Sequence, residues 1–207
     1  MDRNFDFAHY NPNFDHEMID NNEWLNVHIN LLFNELKDIQ IAIYIFNTVD
    51  EEWDRRVQEK EVPDYSIVRT TLYESLVYRV FLGLNKIFAD SKECSLRKAT
   101  NQAEQLFRDN KGITKIIAEI RQKLDDSLMV GIVRTYRDKF FAHLDKKSAM
   151  SYIRIDSSSV MKHIDEKELG EWLRLIQKLY QVCFGGELSC EFSMPSKEDI
   201  IYTFFWQ

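Results

Sequence analysis

Apolar residues recur at steps of three and four along most of this chain. Leu25, Ile29, Leu32, Leu36, Ile39, Ile43 and Phe46 fall on one helical face, and Asp20 with Glu23 forms a capping box ahead of them. A strong amphipathic helix is therefore predicted from Asp20. The acidic run Asp50-Glu51-Glu52 and the segment Glu61-Val62-Pro63-Asp64 break that pattern. A second stripe follows through Val68, Leu72, Leu76, Val80, Leu84 and Ile87, widened by Tyr73, Val77, Phe81 and Phe88. So broad an apolar arc predicts a central helix, buried on more than one side.

A shorter helix is expected from Ser95 to about Arg108, ended by an Asn110-Lys111-Gly112 turn. Beyond it Ile113, Ile117, Ile120, Leu124, Leu128, Ile132, Tyr136 and Phe140 recur mostly every four residues. They predict one long helix, or two joined near Asp125-Asp126-Ser127. Asp165 and Glu168 make another capping box ahead of Leu169, Leu173, Ile176, Leu179, Tyr180 and Cys183, and Gly185-Gly186 stops that helix. The expected fold is all-α, an up-and-down bundle of four to five helices. Residues 1–19 read as an irregular N-terminal arm, 20–187 as the bundle, and 188–207 as a tail packed on the bundle or on a partner.

Composition agrees with this picture: 44% of residues are hydrophobic, and there are six glycines and three prolines in 207 positions. No stretch approaches the roughly 18 uninterrupted apolar residues of a membrane span, and the first residues lack a signal-peptide profile. A cytoplasmic protein without membrane contact is expected. Cys94, Cys183 and Cys190 form no CxxC pair, which suggests reduced thiols and neither a disulfide framework nor a thiolate zinc site. A net charge of −7 argues against a surface that coats nucleic acid non-specifically, so any such contact is local.

The candidate chemistry lies in Arg137-Asp138-Lys139-Phe140-Phe141-Ala142-His143-Leu144-Asp145, at the end of the long amphipathic pattern. Arginine holds phosphate bidentately and histidine moves a proton near neutral pH. Spacing alone carries little weight. A chain of this composition delivers such a pair about once by chance, and Arg3 with His9 repeats it in the unperiodic arm. Read structurally, Arg137 pairs with an acid and His143 caps a helix C-terminus. Six residues of ideal helix separate two side chains by about 9 Å of rise and about 120° of rotation. One phosphate is reached only through a bend at Phe141-Ala142 or through a second copy across a two-fold axis. Residues 131–147 also form a basic island, in which Arg134, Arg137, Lys139, Lys146 and Lys147 stand against Asp138 and Asp145.

A late helix carrying Arg, a polar residue, Lys, then Ala-His with Asp two positions on resembles the HEPN superfamily, particularly its abortive-infection branch. The resemblance covers roughly residues 22–185. It implies a dimeric helical bundle and a metal-independent endoribonuclease of phage defence or of a toxin-antitoxin pair. RNA would be the substrate, a second copy the partner, an antitoxin a further partner, and no cofactor or metal is called for. By motif, Arg137 and His143 would be catalytic, with Asp138, Lys139 and Asp145 supporting; Glu74 of the second helix would support them too, and Arg134, Lys146 and Lys147 of the basic island would bind RNA. Members modified by a nucleotidyltransferase carry tyrosine where this chain has Asp145, which sets that regulation apart. The alternative is a non-catalytic module of the same type that binds RNA, a nucleotide or a protein.

Elsewhere Asp50, Glu51, Glu52 and Asp54 cluster beside Trp53, Arg55 and Arg56. No histidine or cysteine completes a metal set, so a solvated loop or helix end is expected. His28 is expected to be packed or half-exposed rather than a ligand. Glu74 and Arg79 interrupt the apolar second helix; an acid at Glu74 either orients Arg137 from the neighbouring helix or stands exposed. The absence of P-loop, GxGxxG, GxSxG and HExxH strings removes the common ATPase, dehydrogenase, esterase and zinc-protease readings.

Overall fold

A computed structural model describes residues 20–63, 66–88, 95–136, 161–189 and 193–205. They form seven helices and no strand: α1 (Asn21–Gln58), α2 (Ile67–Phe88), α3 (Leu96–Leu106), α4 (Lys111–Asp126), α5 (Leu128–Tyr136), α6 (Glu166–Phe184) and α7 (Lys197–Phe205). The fold is an all-α bundle. The helices outnumber the four or five expected because the long fourth helix divides at Ser127 and the tail is itself helical.

Small polar side chains start most of these helices, where backbone amides lack intrahelical partners. Asp20 caps α1 through the Asn22 amide, and Ser95 caps α3 through the Lys98 amide. Asn110 accepts from the Gly112 and Ile113 amides, so it opens α4 and Gly112 lies inside that helix rather than in a closing turn. Asp165 accepts from the Lys167 and Glu168 amides at the start of α6, which ends on Gly185 in a left-handed conformation (φ 74°).

The first predicted helix is longer than its apolar pattern. α1 runs through the acidic segment to Gln58 because those acids are paired and Trp53 is buried among them. Its whole predicted stripe, Leu25 through Phe46, is in the core. Helix α1 is also the central element, packing against α2, α3, α6 and α7, whereas α2 meets α1, α3 and α5. Breadth of apolar arc pointed to α2; length is what gives α1 the larger set of neighbours.

Helices α1 and α2 run antiparallel, as do α3 and α4. Arg79 of α2 reaches Glu35 and Asp38 of α1, while Arg69, ten residues earlier, reaches Asp50 and Asp54. Gly83 marks the tight point of that seam, since a Cβ there would stand 2.7 Å from Ile39 Cδ1. In the same sense Arg97 of α3 pairs with Asp125 of α4 while Arg121 bonds Asn101 and Glu104. Helix α7 lies on the C-terminal part of α1, with Phe205 against Trp53 and under Arg56, and Lys197 paired to Glu51.

Candidate functional site

The whole candidate string lies outside the described residues. That covers Arg137, Asp138, Lys139, His143, Asp145, Lys146 and Lys147, together with the Arg3 and His9 pair of the N-terminal arm. What is described is the approach to the string: α5 ends at Tyr136, one residue before Arg137. Arg134 occupies the last turn of α5 and is half-exposed. Glu74 is exposed on α2, the helix against which α5 packs.

The register of α5 differs from the one that sequence spacing extrapolates from α4. Leu128 continues the four-residue stripe yet is 78% exposed, while Met129, Val130 and Val133 are buried. The cause is the extended backbone at Ser127 (φ −71°, ψ 119°), which ends α4 and rotates the next helix onto a new face. Glu168 likewise departs from its expected capping role. Its carboxylate accepts from the Ser127 hydroxyl and, at 3.0 Å, from Trp172 Nε1.

Glu52 sits deeper than the solvated loop or helix end expected of the acidic run. Glu52 is nearly buried and accepts from Arg55 and Arg56, and the Arg55 hydrogen bond leads in lowering its pKa to about 2, with Arg56 adding to it against the cost of burial. The acidic run is thus an ion-paired helix end. Tyr73 donates to Asp50, and burial followed by that carboxylate pushes its phenol above the ordinary range. Arg69 bonds Asp50 and Asp54 and lies over the Trp53 and Tyr73 rings. Burial works against its charge, but the hydrogen bonds to Asp50, Tyr73 and Asp54 outweigh it and hold the guanidinium charged.

His28 is 1% exposed, with Nδ1 3.0 Å from Gln102 Oε1 and Nε2 buried without a hydrogen-bond partner. Desolvation lowers its pKa, the Gln102 contact acts in the opposite direction, and Lys98 lowers it further, which makes it a packed neutral histidine. Burial raises the Cys183 thiol to about 11, so it is protonated at neutral pH and a poor nucleophile. Among the described residues no group of three or more His, Cys, Asp or Glu is arranged to hold a metal, and no described helix is long and apolar enough to cross a membrane.

These groups tie helices together, and sequence reasoning missed their partners because pairs 19 to 41 residues apart, such as Arg69 with Asp50 or Ser127 with Glu168, leave no local periodic signal. Compared with family models, curated proteins and solved structures, the chain matches none.

Proposed function

We propose that this protein is a metal-independent endoribonuclease of the HEPN type, with Arg137 and His143 as its catalytic pair. One observation carries the reading: the Arg-Asp-Lys-x-x-Ala-His-x-Asp string directly follows α5 of an all-α bundle, within the basic island that begins at Arg134.

The chemistry follows from the residue types. His143, with an ordinary pKa near 6.5, takes the proton of a ribose 2′-hydroxyl. The 2′-oxygen forms a bond to phosphorus, and the bond from phosphorus to the 5′-oxygen breaks. The products are a 2′,3′-cyclic phosphate and a 5′-hydroxyl, the leaving oxygen receiving a proton from the imidazolium or from water. Arg137 holds the crowded anionic phosphorane. Asp138, Lys139, Asp145 and Glu74 support the pair, and Arg134, Lys146 and Lys147 hold the flanking phosphates. A second copy of the chain, meeting this one across a two-fold axis, brings a second cation set to the same phosphate. The setting is cytoplasmic phage defence or a toxin-antitoxin pair, in which an antitoxin restrains the nuclease.

The test is incubation in EDTA with matched RNA, DNA and 2′-O-methyl RNA. Only the RNA is expected to be cut, with rates falling about 10²- to 10⁴-fold in His143→Ala and unchanged in His9→Ala. Intact RNA, or cleavage that survives His143→Ala, overturns the reading; RNA that is bound but never cut turns it into that of a binding module. A stable monomer at working concentration removes the two-fold site.

A further inference from the structure

Helices α4 and α5 could be one helix by spacing, yet they divide at Ser127, and that residue is built into the molecule rather than left as a hinge. Its hydroxyl accepts from the Val130 amide at 3.0 Å, capping α5, and donates to Glu168 Oε1 of α6. The same carboxylate oxygen accepts from Trp172 Nε1 at 3.0 Å. Trp172 is fully buried, with its ring centre 5.0 Å from that of Phe88 on α2. On its other flank Lys123 of α4 lies 5.2 Å from the Trp172 ring centre and pairs with Glu171. One carboxylate therefore joins the end of α4, the start of α5 and an indole anchored in the core.

An isolated helix of nine residues is too short to hold itself, so the direction of α5 is set by what grips its ends and its buried face. The buried face, Met129, Val130 and Val133, packs on α2 and on the end of α4. The grip at its start is the Ser127 hydroxyl. We propose that Ser127, held by Glu168, is a positioning residue that fixes how α5 leaves α4 and hence where the chain enters Arg137. The structural half stands on contacts among described residues; its catalytic consequence rests on the nuclease reading above.

The experiment measures backbone amide exchange in the full chain for Ser127→Ala, Ser127→Thr and Glu168→Gln, alongside RNA cleavage by each. Ser127→Ala removes both hydroxyl bonds and is expected to speed exchange across 128–136 about fivefold while α1 keeps its protection. Ser127→Thr restores the hydroxyl and Glu168→Gln retains an acceptor oxygen, so both keep wild-type exchange in α5. In the cleavage assay Ser127→Ala lowers kcat with KM for RNA unchanged, and Ser127→Thr recovers it. Unaltered α5 exchange in Ser127→Ala, or acceleration spread equally over α1, overturns the positioning role, as does loosened α5 with wild-type kcat. If the wild-type chain cuts no RNA, the nuclease reading falls and exchange alone decides whether Ser127 positions α5.

Discussion

Along the seam between α1 and α2, charged and hydroxyl groups are spread over several turns: Glu35 and Asp38 on Arg79, Asp50 and Asp54 on Arg69, and Tyr73 on Asp50. Where α4, α5 and α6 meet, one carboxylate serves both Ser127 and Trp172, with the Lys123 and Glu171 pair beside it. The difference matters because the two regions fail differently. Half-exposed ion pairs such as Arg79 with Asp38 contribute about 0–1 kcal/mol each, so the seam survives loss of any one of them. A shared, half-buried acceptor cannot be removed without stranding the indole N–H of buried Trp172.

The largest effect that sharpens this contrast belongs to the junction. Trp172→Ala removes a fully buried ring between α2, α4 and α6 and is expected to cost about 3–5 kcal/mol in denaturant unfolding. A cost below about 1 kcal/mol would mean that the junction is not tied to the core.

The α1 side responds to acid at Glu52, which lies between the seam acids Asp50 and Asp54. The folded Glu52 titrates at about 2 against an ordinary 4.5, so the unfolded chain binds more protons between those values. Its contribution is complete above about pH 4.5 and is lost as pH falls toward 2. Since Arg55 is half-exposed, that contribution is on the order of 2 kcal/mol. Unfolding free energies measured across this range should show a slope that Glu52→Gln flattens; equal slopes in both proteins would remove Glu52 from the account.

Smaller effects probe the seam itself. Gly83→Ala places a Cβ against Ile39 and Glu35, and the overpacking exceeds the helix-propensity gain, for a net loss of about 1 kcal/mol. A stabilised variant would show that the seam gives way freely. Smallest is Lys60→Gly just past α1. Lys60 holds a positive φ of 61° and its amide bonds Val57 O, so glycine there is expected to add about 0.5–1 kcal/mol to stability. A lower melting temperature would contradict this.

Where the chain's own periodicity decides structure, the sequence was legible. The stripe of α1, the caps Asp20, Ser95 and Asp165, the stop at Gly185 and a break near Ser127 all follow from local rules. Non-local pairing was not. The acidic run looked like a break in α1 because Arg69, which neutralises Asp50 and Asp54, and the covering Phe205 lie on other helices. Leu128 looked buried because a four-residue step cannot register the extended backbone at Ser127. Glu168 fitted a capping box by spacing, and its true partners are one turn ahead and 41 residues away. Of the candidate site, the sequence supplied the residue types; the described structure adds the helix that leads to them.

The most direct measurement of the central claim is the chemistry of the RNA ends left after cleavage in EDTA. Attack by the 2′-hydroxyl under Arg137 and His143 predicts a 2′,3′-cyclic phosphate on one fragment and a 5′-hydroxyl on the other, both absent with His143→Ala. Fragments ending in a 3′-hydroxyl and a 5′-phosphate would contradict it, because they require water rather than the ribose to attack phosphorus.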